Sequence, residues 1–202
     1  MVKHSNALDL NELLQHELGN AGLRPIFDLV AQHSWWVSPK VYREIQVVYP
    51  KTRRKKGVLE KRGSVVNGIR LWDNQPASRA FWMALGQDPS KVKNFYVCHI
   101  YEGSVWDPGH FTNLANLTAF PTSLQSLSEW PPVSELLKYH SFAVFGYEGP
   151  SKKAHGKPDY YPSVWHHQQN PNPMEASIII RKLKEQASKR PEFRTALEVL
   201  AS

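Results

Sequence analysis

The chain has 202 residues, 41% of them hydrophobic and 21% charged, with 25 Lys and Arg against 18 Asp and Glu for a formal charge of +7. With 7 Trp, 8 Tyr and 8 Phe, this balance excludes a wholly disordered chain and supplies enough apolar surface for one folded domain. A single cysteine, Cys98, excludes a disulfide framework and the usual thiolate zinc site, and fits a reducing, cytoplasmic compartment; no apolar run approaches the roughly 18 residues of a membrane span, so no membrane partner is expected.

In chain order, Leu10, Leu13, Leu14 and Leu18 recur at helical spacing behind Asp9 and before Gly19-Asn20, which predicts an opening helix over 10–18. A second helix is expected from Pro25 to His33, where Ile26, Leu29 and Val30 form a stripe. Ser38-Pro39 restarts structure, and Tyr42 to Tyr49 reads as a helix end or a strand, with its β-branched content favouring the strand. Gly68 to Trp72 reads as a strand and Pro76 to Leu85 as a short helix closing at Gly86. Val92 to Ile100 and Asn116 to Phe120 read as two further strands joined by a polar loop. Thr122 to Trp130 follows as a helix ended by Pro131-Pro132, and Ser134 to Phe145 as another capped by Ser134. Residues 146–173 form a long stretch rich in Pro, His and aromatic residues, and the chain closes with helices over Met174 to Leu183 and Pro191 to Leu200.

The cations are clustered. Lys51, Arg53, Arg54, Lys55, Lys56, Lys61 and Arg62 put seven positive charges into twelve residues, and Arg181, Lys182, Lys184, Lys189, Arg190 and Arg194 form a second group. In the first segment Gly57, Gly63 and Asn67-Gly68 punctuate two short apolar runs, Val58-Leu59 and Val65-Val66, which predicts a hairpin or loop able to follow a phosphate backbone. Between residues 152 and 165, Lys152, Lys153, His155 and Lys157 stand close before Tyr160, Tyr161 and Trp165, a combination in which rings stack on bases while cations meet phosphates; Trp35-Trp36 and Trp72 could serve the same end, although core packing is the commoner fate of Trp. The adjacent His166 and His167 would point to opposite sides of an extended chain and so make a poor pair of ligands for one metal.

The sharpest feature is Cys98-His99-Ile100-Tyr101 at the end of one predicted strand, Asn116-Leu117 opening the next, and Gln125 nine residues further on. This arrangement, over about Phe95 to Leu127, resembles the motif of HNH, or ββα-metal, nucleases. The resemblance implies an α+β fold with a ββα-metal (HNH-like) core embedded in a largely helical single domain. It assigns 1–50 to an N-terminal helical region, 51–94 to a basic loop and recognition elements, 95–145 to the ββα core, and 146–202 to the aromatic and His-rich loop with the C-terminal helices. It further implies a DNA endonuclease of restriction or defence type, with His99 as general base, Asn116 as the brace of the loop that carries it, and Gln125 beside a single Mg²⁺ or Mn²⁺. Placing the Asn at Asn113 instead would bring Thr122, a poorer ligand, to the helical position.

The chemistry is coherent. An imidazole can take a proton from water at neutral pH when its second nitrogen is held, and a hard cation offsets charge on the scissile phosphate. The residue before the base is usually Asp in that family, and here it is Cys98, a soft thiol poorly matched to Mg²⁺. Replacement groups lie in the loop: Asp107 as a metal ligand, although Asp107-Pro108-Gly109 also reads as a turn, and His110 as a second catalytic group, with Glu102 nearby. Double-stranded DNA is the expected partner, bound as a symmetric dimer if the site read is a palindrome. The alternatives are a non-catalytic nucleic-acid-binding module on the same scaffold, and a metal-independent RNase or toxin that uses the 2′-hydroxyl of RNA as nucleophile.

Overall fold

The computed structural model describes residues 22–49, 51–53, 64–66, 69–72, 75–101, 103–153, 155–165 and 173–188. The expected helices over 10–18 and Pro191 to Leu200, and the short strand at Val58-Leu59, lie outside the described residues. Helix α1, Leu23–His33, buries Phe27, Val30 and Ala31 on one side, the stripe that its apolar spacing requires. Ser38 then accepts a hydrogen bond from the Lys40 amide and, with Pro39 in the first turn, starts a short helix α2, Pro39–Glu44. Residues 42–44 are therefore helical, where strand propensity predicted otherwise. The cap and the proline outweigh the β-branched residues, and in the stretch that follows only Val47 makes a bridge, to Asn113.

Strands β1 (Lys51–Arg53), β2 (Val65–Val66) and β3 (Ile69–Trp72) make a small sheet in the order β1-β3-β2. β1 runs parallel to β3, pairing Thr52 with Leu71, and β2 runs antiparallel to it. The start of the basic segment is thus a strand and not a loop. Helix α3, Gln75–Ala84, turns its Ala77, Ala80, Phe81 and Ala84 inward. Strands β4 (Phe95–His99) and β5 (Leu117–Pro121) form an antiparallel pair that sets Cys98 opposite Thr118 and His99 opposite Leu117. A 3-10 helix over Thr122–Glu129 follows, and helix α4 runs from Pro131 to Phe145. The element before does end ahead of Pro131-Pro132, as expected, but the same pair also opens α4, so Ser134 lies inside the helix, its amide bonded to the Trp130 carbonyl. The physical reason is that the first helical amides have no intrahelical acceptor, so proline loses nothing there. Helix α5, Pro173–Ser188, buries Ala176, Ile179 and Leu183.

The molecule is α+β, with one contiguous core that runs from Phe27 to Leu183 and includes Trp36, Phe81, Phe111, Phe120 and Leu136. Trp165 stacks on the buried His140 ring at 3.6 Å between centroids, and the Tyr161 hydroxyl lies 2.6 Å from His140 Nδ1. Among the described residues no helix is long and apolar enough to cross a membrane.

Two glycines past α4 separate conformational strain from lack of space. Gly146 (φ +68°) caps the helix with nothing within 4 Å of where a Cβ would stand, whereas at Gly149 (φ +72°) that atom would run into the ring of Tyr101. Gly146→Ala should cost about 1 kcal/mol from backbone strain alone. Gly149→Ala adds a collision with a buried ring and should cost about 2–4 kcal/mol, measured by thermal or urea unfolding; equal losses would contradict the packing of Tyr101 against this turn.

Candidate active site

The loop from Ile100 to Asn116 is organised by one side chain. Asn116 is fully buried at the end of a 3-10 turn, Leu114–Asn116, that Asn113 caps through its own side chain. Its Oδ1 accepts from the Tyr101 amide at 3.1 Å, and its Nδ2 donates to Ser104 Oγ and to the His110 carbonyl, each at 2.9 Å. The Asn116 carbonyl also accepts from the Ile100 amide. Ser104, itself buried, donates its hydroxyl proton to the Tyr101 carbonyl at 2.6 Å. The exit of β4, the turn at Ser104–Trp106 and the backbone of His110 are therefore held by a single amide group.

His99 ends β4 half-buried, its Nε2 donating to the Phe111 carbonyl at 2.9 Å while its ring stacks on the Phe111 ring, nearly parallel at 5.5 Å. A carbonyl can only accept, so Nε2 carries the proton and Nδ1 is the basic nitrogen of the neutral ring. His110, one peptide before Phe111, meets the Tyr147 hydroxyl at 2.5 Å through Nδ1, and its Nε2 lies 4.0 Å from Asp107 Oδ2. Burial pushes the Tyr147 phenol well above its usual range, so the hydroxyl keeps its proton and donates it to Nδ1. His110 then carries its own proton on Nε2, on the side of Asp107. The two histidines are held in complementary states, one with its second nitrogen basic and the other with its second nitrogen protonated. Sequence reasoning misses Tyr147 and the carbonyl of Phe111. A tyrosine between glycines, Gly146-Tyr147-Glu148-Gly149, is the only trace of the former.

The expected metal donors do not converge. Asp107 Oδ1 accepts from the Gly109 amide at 2.7 Å, the turn arrangement its Pro-Gly neighbours favour. Gln125 lies on the 3-10 helix, half-buried, with its carbonyl accepting from Ser128 Oγ. Cys98 is buried, its thiol 3.6 Å from the Thr118 carbonyl, and burial pushes it up to about 12. Among the described residues no three His, Cys, Asp or Glu side chains gather as an ion would need, and Glu102 lies outside them. A neutral thiol against a carbonyl does not fit Mg²⁺ or Mn²⁺, so no chemical step is routed through an ion here.

The expected nucleic-acid contacts are redistributed. Lys51 is 5% exposed in β1 with its Nζ over the Tyr49 ring, so it is a packed strand residue and not a surface phosphate contact. Arg53 lies in β1, while Arg54, Lys55, Lys56, Lys61 and Arg62 lie outside the described residues. β1 nevertheless packs against the Ser104–Trp106 turn, and the residues before it are joined to the same loop. Thr112 Oγ1 accepts from the Tyr49 amide at 2.8 Å and donates to its carbonyl at 2.6 Å, and the Leu114 amide donates to the Gln46 carbonyl at 2.9 Å. The chain therefore enters the basic segment from beside the histidine loop. Trp35, Trp36, Tyr161 and Trp165 belong to the core and its margin, His166 and His167 lie outside the described residues, and Arg181 and Lys184 of α5 pair with Glu185 and Glu44.

No protein-family model matches the chain, and no curated protein or solved structure is significantly similar to it.

The buried thiol yields a test of the hairpin. An unfolded thiol ionises near about 8.5, so the contribution of Cys98 to stability is complete below that pH and is lost as pH rises toward about 12. In the folded chain Cys98 should resist a thiol reagent at pH 8, with one thiol appearing once denaturant is added; rapid labelling without denaturant would contradict this packing.

Proposed function

We propose that the chain is an HNH-like nuclease that hydrolyses phosphodiester bonds, with DNA as the first substrate to be tried. The observation that carries the reading is the pairing of His99, fixed through Nε2 by a loop carbonyl, with Asn116, whose amide ties that loop to the strand bearing His99. His99 Nδ1 takes the proton from the attacking water, the water oxygen bonds to phosphorus, and the bond to the leaving oxygen breaks. The leaving oxygen takes its proton from solvent water, while the Nε2–H of His110 offsets the charge developing there as a hydrogen-bond donor. Asn116 is a positioning residue, and the cations of the 53–62 segment neutralise the phosphates on either side. A non-catalytic nucleic-acid-binding role is the second reading, favoured by the buried Cys98 where the resembled family carries an acidic ligand.

Purified full-length chain incubated with plasmid DNA, and separately with RNA, in Mg²⁺, Mn²⁺ or EDTA separates the readings. Cleavage is expected, and His99→Ala should reduce it about 10²- to 10⁴-fold while the variant still folds and unfolds cooperatively. Binding without cleavage in any condition supports the second reading, and wild-type cleavage by the variant removes His99 from the chemistry.

A separate outcome concerns the cations. Replacing Arg54, Lys55 and Lys56 by Gln should weaken binding to all sequences alike and reduce the slope of log K against log salt by nearly one unit for each phosphate left without its cation. An unchanged slope would make the segment a solvated face.

A further inference from the structure

We propose that Tyr147 is a positioning residue that holds His110 as the tautomer with its proton on Nε2, so that the loop presents a hydrogen-bond donor there and not a second base. Its part in cleavage rests on the nuclease reading above, whereas the tautomer rests on contacts that stand whatever the substrate.

Tyr147 follows α4 after a single residue, and the turn fixes where its phenol goes. Gly146 takes the left-handed conformation, φ +68°, that ends the helix, and Gly149, at φ +72°, leaves the room that the Tyr101 ring fills. The Tyr101 hydroxyl donates to the Tyr147 carbonyl at 3.2 Å, and the two rings meet edge to face, 5.4 Å apart at 85°. Tyr101 in turn gives its backbone amide to Asn116 Oδ1. The phenol is thereby tied to the same carboxamide that holds the His110 carbonyl. His110 is gripped twice, by its backbone through Asn116 Nδ2 and by its ring through the Tyr147 hydroxyl.

The proton in this second grip has one workable place. Tyr147 is 8% exposed, and among the described residues its hydroxyl meets no acceptor besides His110 Nδ1, 2.5 Å away. Were Nδ1 to carry the ring proton, the phenol proton would be buried without an acceptor, which costs about 1–3 kcal/mol. Losing the phenol proton instead is closed off by burial, which disfavours a phenolate and pushes Tyr147 well above its usual range. Nδ1 therefore accepts, and the proton of the neutral ring sits on Nε2.

At Nε2 the surroundings leave that proton available. Asp107 Oδ2 stands 4.0 Å away, too far for a hydrogen bond, while Asp107 Oδ1 is engaged by the Gly109 amide. A carboxylate on that side favours an N–H over a lone pair. The His110 side chain is 24% exposed, so a ligand oxygen can reach it. An Nε2–H has no lone pair with which to take a proton from water, but it can donate to an oxygen that gains charge. His99, with Nδ1 basic, and His110, with Nε2 protonated, divide the work, and Tyr147 sets the second half of that division.

The test is nitrogen-15 NMR of the histidine rings in the labelled full-length chain at about pH 8, where an ordinary imidazole is neutral, with His110 assigned from the spectrum of His110→Gln. In wild type, His110 should show a protonated Nε2 and a bare Nδ1, favoured over the reverse by roughly tenfold or more. Tyr147→Phe keeps a ring against Tyr101 and removes the donor; the second tautomer should then become visible at His110 while the His99 signals stay in place. On a cleaved substrate Tyr147→Phe should lower kcat by roughly 3- to 10-fold with KM little changed. His110→Gln, whose amide still donates near the Nε2 position, should keep at least about tenfold more activity than His110→Leu. A proton on His110 Nδ1 in wild type, an identical His110 spectrum in Tyr147→Phe, or equal activity of the Gln and Leu variants would overturn the proposal, and the wild-type spectrum decides alone if Tyr147→Phe does not fold. Should the tautomer be as expected in a chain that cleaves nothing, the positioning stands and the nuclease reading falls; should the chain cleave with His110 protonated on Nδ1, the reverse holds.

Discussion

The fully buried carboxamide of Asn116 makes three hydrogen bonds, and the loop that follows His99 and carries His110 has its shape because of them. Its partners are the Tyr101 amide just past β4, the Ser104 hydroxyl, which also donates to the Tyr101 carbonyl, and the His110 carbonyl, which also accepts from the Asn113 amide. Leaving the buried Asn116 carboxamide itself unmatched would cost about 1–3 kcal/mol per group, which makes the alternative loop conformations unfavourable. Asn is the side chain that can accept on one side and donate twice on the other. An aspartate would face the His110 carbonyl with a second acceptor.

That constraint propagates outward. With the Asn116 carbonyl also receiving the Ile100 amide, β4 and β5 close in a register that puts His99 at the last paired position, where its ring reaches the Phe111 carbonyl. Thr112, next in the loop, joins the backbone of Tyr49 from both sides and so fixes the approach to the strand that leads into the cationic segment. The Ser64 carbonyl accepts from the Leu71 amide of β3, so the segment is anchored in the same small sheet where it ends as well as where it begins. The approach to the cationic segment and the histidine loop, far apart in sequence, are joined by hydrogen bonds that no side-chain pattern announces.

This is also why the chain is only partly legible from its sequence. The hairpin of β4 and β5, helices α1 and α3, and the α+β class follow from apolar spacing, β-branched runs and the prolines and glycines that bound them. Tyr42 misleads because a six-residue helix has too few turns to show a period, and its cap outweighs strand propensity. Pro131-Pro132 is read only in part, because proline both stops one helix and starts the next, and here it does both around Trp130. Lys51 misleads because charge runs are judged as solvated, while here the first member of the run lies in a strand over an aromatic ring. Within the site, His99, His110 and Asn116 stand out as residue types at a spacing; the partners that define their proton states, the Phe111 carbonyl and the Tyr147 hydroxyl, are set by tertiary contacts.

The position before His99 shows how strand geometry bears on charge. Successive residues of a strand face opposite sides, and in β4 Cys98 is turned into the protein opposite Thr118 while His99 is turned toward Phe111. A carboxylate at position 98 would be buried against a carbonyl, an arrangement that raises its pKa and removes the charge for which an acid would be wanted. The pressure at that position is toward a small, neutral, apolar group, and a cysteine meets it. With position 98 neutral, the proposed chemistry would have to draw its charge from elsewhere in the chain; β1, which packs against the Ser104–Trp106 turn, begins the most cationic stretch of the sequence. Under the proposed nuclease reading, the start of the basic segment and the histidine loop, joined through Thr112 and β1, would act together.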